Sequence, residues 1–165
     1  MPASLSRQLA KFVYELSYND LPPEVVDKVK ALTLQALASV LVGYQNPAAK
    51  QAIHMIKEEE TLARGGSTIL VDRAKVTKAG AGFANTSMIS AGGKLDSYWM
   101  LTHPGETIIS ASLLGAEAGG RSGKDFITAA AAGYEVMERM ARDFIPSVMA
   151  RGFHAGPAFG IFGAV

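Results

Sequence analysis

Between Thr77 and Ala91 the chain strings Ala79, Gly80, Ala81, Gly82 and Ala84 through a segment of helical character. Glycine inside a helix costs about 0.5–1 kcal/mol relative to alanine. A helix that accepts that cost recovers it by bringing its backbone close to a neighbour, so this segment predicts tightly crossed helices rather than a free surface helix. Thr77 is placed to cap it.

The remaining punctuation agrees. Ser4 caps a first helix with Leu5, Leu9, Phe12, Val13 and Leu16 on one face, and Tyr18 to Pro22 breaks it. Pro23 opens a second helix, with Val25, Val29, Leu32, Ala36 and Val40 inward and Gly43 as its stop. Its later half, Ala36 to Val42, is apolar nearly all round and predicts burial on several sides. Asn46-Pro47 starts a third helix running to about Arg64, with Ile53 and Ile56 inward and His54 on its charged surface. Ser67 to Val71 reads as a short strand turned into a hairpin at Asp72-Arg73. A helix closing at Gly119-Gly120 follows, opened by Glu106 or Thr107. Ser122 then caps the longest helix, which reaches about Phe144 and is stopped by Pro146. Phe126, Ala130, Tyr134, Met137, Met140 and Phe144 face inward there. Glu135–Arg139 and Glu138–Arg142 form surface pairs at i, i+4. Pro157 to Val165 opens an apolar helix. The expectation is a mainly α, multi-helix array with one short β element, a single helical domain over residues 1–165.

Composition narrows the function classes. Lys plus Arg is 16 and Asp plus Glu is 15, a net charge of +1 without a basic run, which points to no nucleic-acid partner. Cysteine is absent, excluding disulfides and thiolate metal sites. Arg7, Lys11 and Glu15 interrupt the N-terminus, and no apolar run is long enough to span a bilayer, so no membrane partner and a cytoplasmic location are expected.

Chemistry concentrates in Leu95 to Thr107, which holds His103 and the only tryptophan, Trp99. A residue before proline is driven to extended geometry, which constrains His103. The following helix start offers unpaired N–H groups and a favourable dipole for an anion. Arg151 to Pro157 repeats the arrangement around His154. Histidine is a suitable acid or base near neutral pH, and two of them ahead of helix starts suit a carboxylate substrate. Each also suits a loop histidine capping backbone groups. Asp96 fits a role in orienting a histidine or binding a substrate hydroxyl, and equally a helix cap. Thr102 fits a hydroxyl donor or a turn residue, and Lys94 a carboxylate partner or a solvated cation. Tyr98 and Trp99 wall a pocket or anchor their loop. The histidines and Asp96 lack metal-ligand spacing, and no glycine-rich phosphate loop follows a strand.

Five pieces in register carry a resemblance: His103-Pro104-Gly105, Ala116 to Lys124, Ala132 to Arg139, Gly152-Phe153-His154 and Phe159 to Ala164. Together with Leu21 to Val25 and Leu41-Val42-Gly43, they resemble the MmgE/PrpD family, which includes 2-methylcitrate dehydratase, cis-aconitate decarboxylase and iminodisuccinate epimerase. The resemblance implies a helical domain interrupted by an α+β lid, with this chain matching the N-terminal helical part and lacking the lid and later lysines. It implies proton abstraction beside a carboxylate of a small di- or tricarboxylate, with no cofactor and no metal. Carried over, His103 and His154 are catalytic, sharing one pocket, and Asp96, Thr102 and Lys94 bind substrate. The family's Asp-rich segment is reduced here to Asp96, closer to the histidine. Two alternatives stand beside this reading: a catalytically silent interaction module, and one subunit of a split enzyme. The expected protein partner is a second copy or a complementary chain, because Ala158 to Val165 is almost wholly apolar, and the chain alone is expected to be inactive.

Overall fold

The computed structural model describes residues 4–60, 65–99 and 102–165. Among these, eight helices and one hairpin form the regular structure: α1 (Leu5–Glu15), α2 (Pro23–Gly43), α3 (Pro47–Glu60), β1 (Ser67–Thr68), β2 (Lys75–Val76), α4 (Lys78–Gly92), α5 (Pro104–Gly119), α6 (Gly123–Ala141), α7 (Ile145–Ala150) and α8 (Ala155–Ala164). The mainly α array with a small β element is borne out. The expected C-terminal end of α3 at Arg64 lies outside the described residues.

The small-residue helix does what its composition requires. α4 makes its most extensive contact with α2, and the approach is too close for side chains. A Cβ on Gly43 would sit 1.8 Å from the Met88 carbonyl oxygen, and one on Gly92 would sit 2.0 Å from that of Ser39. Buried Ser39 fastens the crossing: its hydroxyl donates to the Ile89 carbonyl (2.9 Å) and accepts the Lys94 N–H (2.9 Å). The end of α4, where the site segment departs, is therefore tied to the C-terminal part of α2.

Ile69, Val76, Ala81, Met88, Ile108, Ile109 and Met137 form the solvent-free centre, contributed by the hairpin and by α4, α5 and α6. The hairpin pairs Ser67 with Val76 and Thr68 with Lys75, antiparallel. It is shorter than its β-branched sequence suggests, because Val71 and Arg73 take positive φ in the turn. Glu117 of α5 pins it, accepting the Thr68 N–H (2.8 Å) and the Lys75 ammonium (2.7 Å). Burial pushes the Glu117 carboxyl up, but the hydrogen bonds from Lys75 and Thr68 outweigh it and leave the group below its ordinary value.

Two expectations are corrected, for α2 and α6, and α1 proves uncovered. The second half of α2 is buried on one side only, and Leu41 is 63% exposed. α1 is amphipathic, yet none of its residues is buried and Leu5 is 79% exposed. The helix after Ser122 ends at Ala141, which leaves it at 19 residues against the 21 of α2 and so not the longest, and Pro146 lies in the first turn of the short α7 instead of stopping α6. Proline tolerates a first turn because its missing N–H has no partner there anyway.

Candidate active site

The segment between α4 and α5 is built around Asp96. Its carboxylate accepts the Gly105 N–H at 3.0 and 3.1 Å, capping the start of α5, and accepts the Tyr134 hydroxyl from α6 at 2.6 Å. Gly105 is required here, since a Cβ would meet Tyr134 Oη at 2.7 Å and Asp96 Oδ2 at 2.9 Å. The backbone carbonyl of Asp96 meets His103 Nδ1 at 2.6 Å. A carbonyl only accepts, so Nδ1 carries the proton and Nε2 is left with a lone pair whenever the ring is neutral. Ser97 Oγ lies 3.3 Å from the same Nδ1. One residue thus caps a helix with its side chain and aims a histidine with its main chain.

His103 is the N-cap of α5, and the helix opens at Pro104, earlier than the Glu106 or Thr107 start read from sequence. Proline at the first position accounts for this. At the α5 terminus the Gly105 N–H is already taken by the Asp96 carboxylate. Thr102 is fully buried, and its hydroxyl donates to the Tyr98 carbonyl (3.0 Å), closing the loop that carries Trp99. Lys94 is exposed and lines, with Asp96 and Glu106, a crevice of about 10 Å³.

His154 is the exposed N-cap of α8. Around the place a Gly156 side chain would fill lie His154 Cε1 (3.5 Å), His154 Nε2 (3.8 Å) and Glu106 Oε1 (3.9 Å). The first turn of α8 therefore rests on the first turn of α5. Glu106 accepts the Ser90 hydroxyl at 2.6 Å through its other oxygen.

Beneath Asp96 opens a cleft of about 720 Å³, lined among others by Glu24, Lys28, Tyr134, Glu135 and Glu138. Glu138 is the clearest departure from the sequence reading. The expected surface pair with Arg142 is not formed; Arg142 lies 3.8 Å from Asp143 instead. Position 138 follows Tyr134 by one turn, which puts it on the α6 face under the 96–102 segment. Both carboxylate oxygens are shielded from solvent and have no hydrogen-bond partner among the described residues. Burial, and then the Asp96 charge, push Glu138 up to about 7, against a smaller pull from the Thr102 hydroxyl. Burial, with the same Asp96 charge and hydrogen bond, also holds the Tyr134 hydroxyl well above its ordinary value. Tyr134 and Glu138 were legible only as helix packing and pairing, since their spacing matches an ordinary amphipathic helix.

The sequence profile of the MmgE/PrpD N-terminal domain matches residues 7–165. The chain belongs to the MmgE/PrpD family. A curated relative, the cis-aconitate decarboxylase-like protein oryM of Aspergillus oryzae (strain ATCC 42149 / RIB 40), is 28% identical over 167 residues. That match covers 95% of this chain and 34% of the relative, so the chain spans about a third of the relative's length. No solved structure matches this MmgE/PrpD chain. Among the described residues of this MmgE/PrpD domain, no helix is long and apolar enough to cross a membrane.

Proposed function

We propose that the chain is the N-terminal helical portion of a lyase or isomerase acting on a small di- or tricarboxylate, by proton abstraction next to a carboxylate. The observation that carries this is the setting of His103: its Nδ1–H is held by the Asp96 carbonyl, which leaves Nε2 to take a proton. A general base needs this kind of fixed tautomer and a pKa close to the working pH. Family membership supplies the reaction class, and the decarboxylase-like relative makes loss of carbon dioxide the first variant to assay.

In this reading His103 removes the proton beside a substrate carboxylate. His154, at the start of α8, binds or protonates the acid, with Lys94 as a further binding group and Asp96 as the residue that orients His103; Thr102, expected to bind substrate, is fully buried with its hydroxyl on the Tyr98 carbonyl and holds the loop instead. Carbanion-like charge on the substrate is stabilised by cationic groups and a water-excluding cover. Those contributions would come from beyond these helices, from a later segment, a second copy or a complementary chain, in the cytoplasm. The reaction calls on no cofactor.

The test is turnover of cis-aconitate and 2-methylcitrate by the chain alone and by the chain supplied with the lid-bearing remainder of a relative. We expect activity only in the combination, reduced at least a hundredfold by His103→Gln with unchanged helical content. Binding without turnover in every combination favours the silent interaction module. Full activity of His103→Gln removes the assignment.

A further inference from the structure

Both Glu138 oxygens are shielded and unpartnered by hydrogen-bond geometry, and the one hydroxyl near enough to pull on them, that of Thr102, donates to the Tyr98 carbonyl. α2 brings Glu24 and Lys28 to the same cleft, Lys28 from an exposed position; the site segment brings Asp96 and Thr102; α6 itself brings Tyr134 and Glu135. Each hydroxyl already has an acceptor: Tyr134 donates to Asp96, and Thr102 donates to the Tyr98 carbonyl. Glu135 is paired with Arg139. Glu106 of α5 and His154 of α8 lie on the Gly156 side, at the contact between those helices. The turn at Tyr18–Asp20 meets α6 at its far end, where Lys124 stacks over the Tyr18 ring at 5.0 Å.

A shielded carboxylate without a well-formed hydrogen bond is costly when charged, so it holds its proton to a higher pH than an exposed one. Ionisation would place a second negative charge beside Asp96. Asp96 is also the residue through which α5 is capped and His103 is aimed, so any displacement of it reaches the imidazole.

We propose that Glu138 is a positioning residue for His103, which lets Asp96 hold the histidine while protonated and pushes the Asp96 segment out of place once ionised. The inference deepens the reading of His103 as the working base, but its conformational half is measurable without turnover. The ordinary carboxylate value of 4.5, raised here to about 7, brings the transition within reach of ordinary buffers.

Trp99 is the natural reporter. It is the only tryptophan, lies in the same segment, is 63% exposed, and meets Tyr98 edge-on with ring centroids 6.0 Å apart. Emission would be followed from about pH 5.5 to 8.5 in the unmodified chain, Glu138→Gln and His103→Gln. The expected result is a sigmoidal change with its midpoint near 7 in the unmodified chain and in His103→Gln, and a flat response at the low-pH value in Glu138→Gln. A transition that survives Glu138→Gln, or that disappears in His103→Gln, overturns the proposal. Carboxyl NMR of the unmodified chain requires no variant, and a Glu138 midpoint at the ordinary carboxylate value overturns it equally. If the transition follows Glu138 and no substrate is turned over in any combination, the reaction reading falls while this one stands. Where turnover is present, Glu138→Gln should remove the decline in kcat above about pH 7 and leave the rate below it within about twofold.

Discussion

Two glycines placed in the interior of helices, Gly133 in α6 and Gly115 in α5, should respond in opposite directions to the same substitution. In an open position, Gly→Ala stabilises a helix by about 0.5–1 kcal/mol through reduced backbone freedom in the unfolded chain. Gly115 is such a position, because nothing lies within 4 Å of its added Cβ. Gly133 is its opposite: the Cβ would stand 2.5 Å from the Gly163 carbonyl oxygen and 3.0 Å from Ile108 Cγ2. The first obstacle is backbone, so α8 must move by roughly 0.7 Å or more to restore an ordinary contact, and overpacking of this kind costs about 1–3 kcal/mol. That exceeds the helix-forming gain. Gly133→Ala should therefore lower stability by up to about 2 kcal/mol and Gly115→Ala should raise it, a gap of about 1–3 kcal/mol between the two. Urea denaturation of both variants, with equal slopes, measures it directly. A Gly133→Ala protein as stable as Gly115→Ala would refute the close crossing of α6 and α8.

The site and the caps yield further expectations. Asp96→Asn should cost about 1 kcal/mol through the loss of a charge-assisted cap, and should lower the Glu138 midpoint in carboxyl NMR, since the Asp96 charge is the second cause of its elevation after burial. Glu138→Gln should change the pH dependence of melting. A carboxyl raised in the fold stabilises it fully below its ordinary value of 4.5, and that stability is lost as pH rises through about 7. Glutamine never ionises, so the variant should be more stable than the unmodified chain by about 1–2 kcal/mol at pH 8, discounted for partial solvent screening, and the gap should close towards pH 4.5. Ser122→Ala removes one half of a reciprocal cap, in which the Asp125 N–H donates to Ser122 Oγ (3.2 Å) and the Ser122 N–H to Asp125 Oδ2 (2.9 Å). A loss of about 1 kcal/mol in urea denaturation is expected.

Helix starts were legible wherever a side chain performs the capping. Ser4, Thr77 and Ser122 each accept the backbone N–H that their position predicts, and Pro23 and Pro47 are the first residues of α2 and α3. Apolar periodicity was less informative, because it records which face is hydrophobic and not whether anything covers it. α1 carries a clean stripe and no buried residue. At the site, the stretch around His103 was identifiable from its density of unusual residues. Asp96 was legible as a histidine-orienting or helix-capping residue, and it does both; its link to Tyr134 was not legible, because that depends on a hydroxyl 38 positions later. Glu138 shows the same limit from the other side. Its spacing to Arg142 is right for a surface pair, and only the position of the overlying loop decides that the carboxylate turns inward.

The fastening at Ser39 bears on how variants of this chain would be interpreted. A random-mutagenesis screen scored on turnover would return Ser39 beside His103, and hits mapped on sequence alone would place both at the substrate. Yet Ser39 acts from near the C-terminal end of a helix whose other residues are free to vary on their outer face. Its hydroxyl fixes where the site segment begins, at Ile89 and Lys94. Substitutions there should scatter the orientation of His103 across a population of molecules rather than remove a group from each, broadening the His103 resonance while leaving it present.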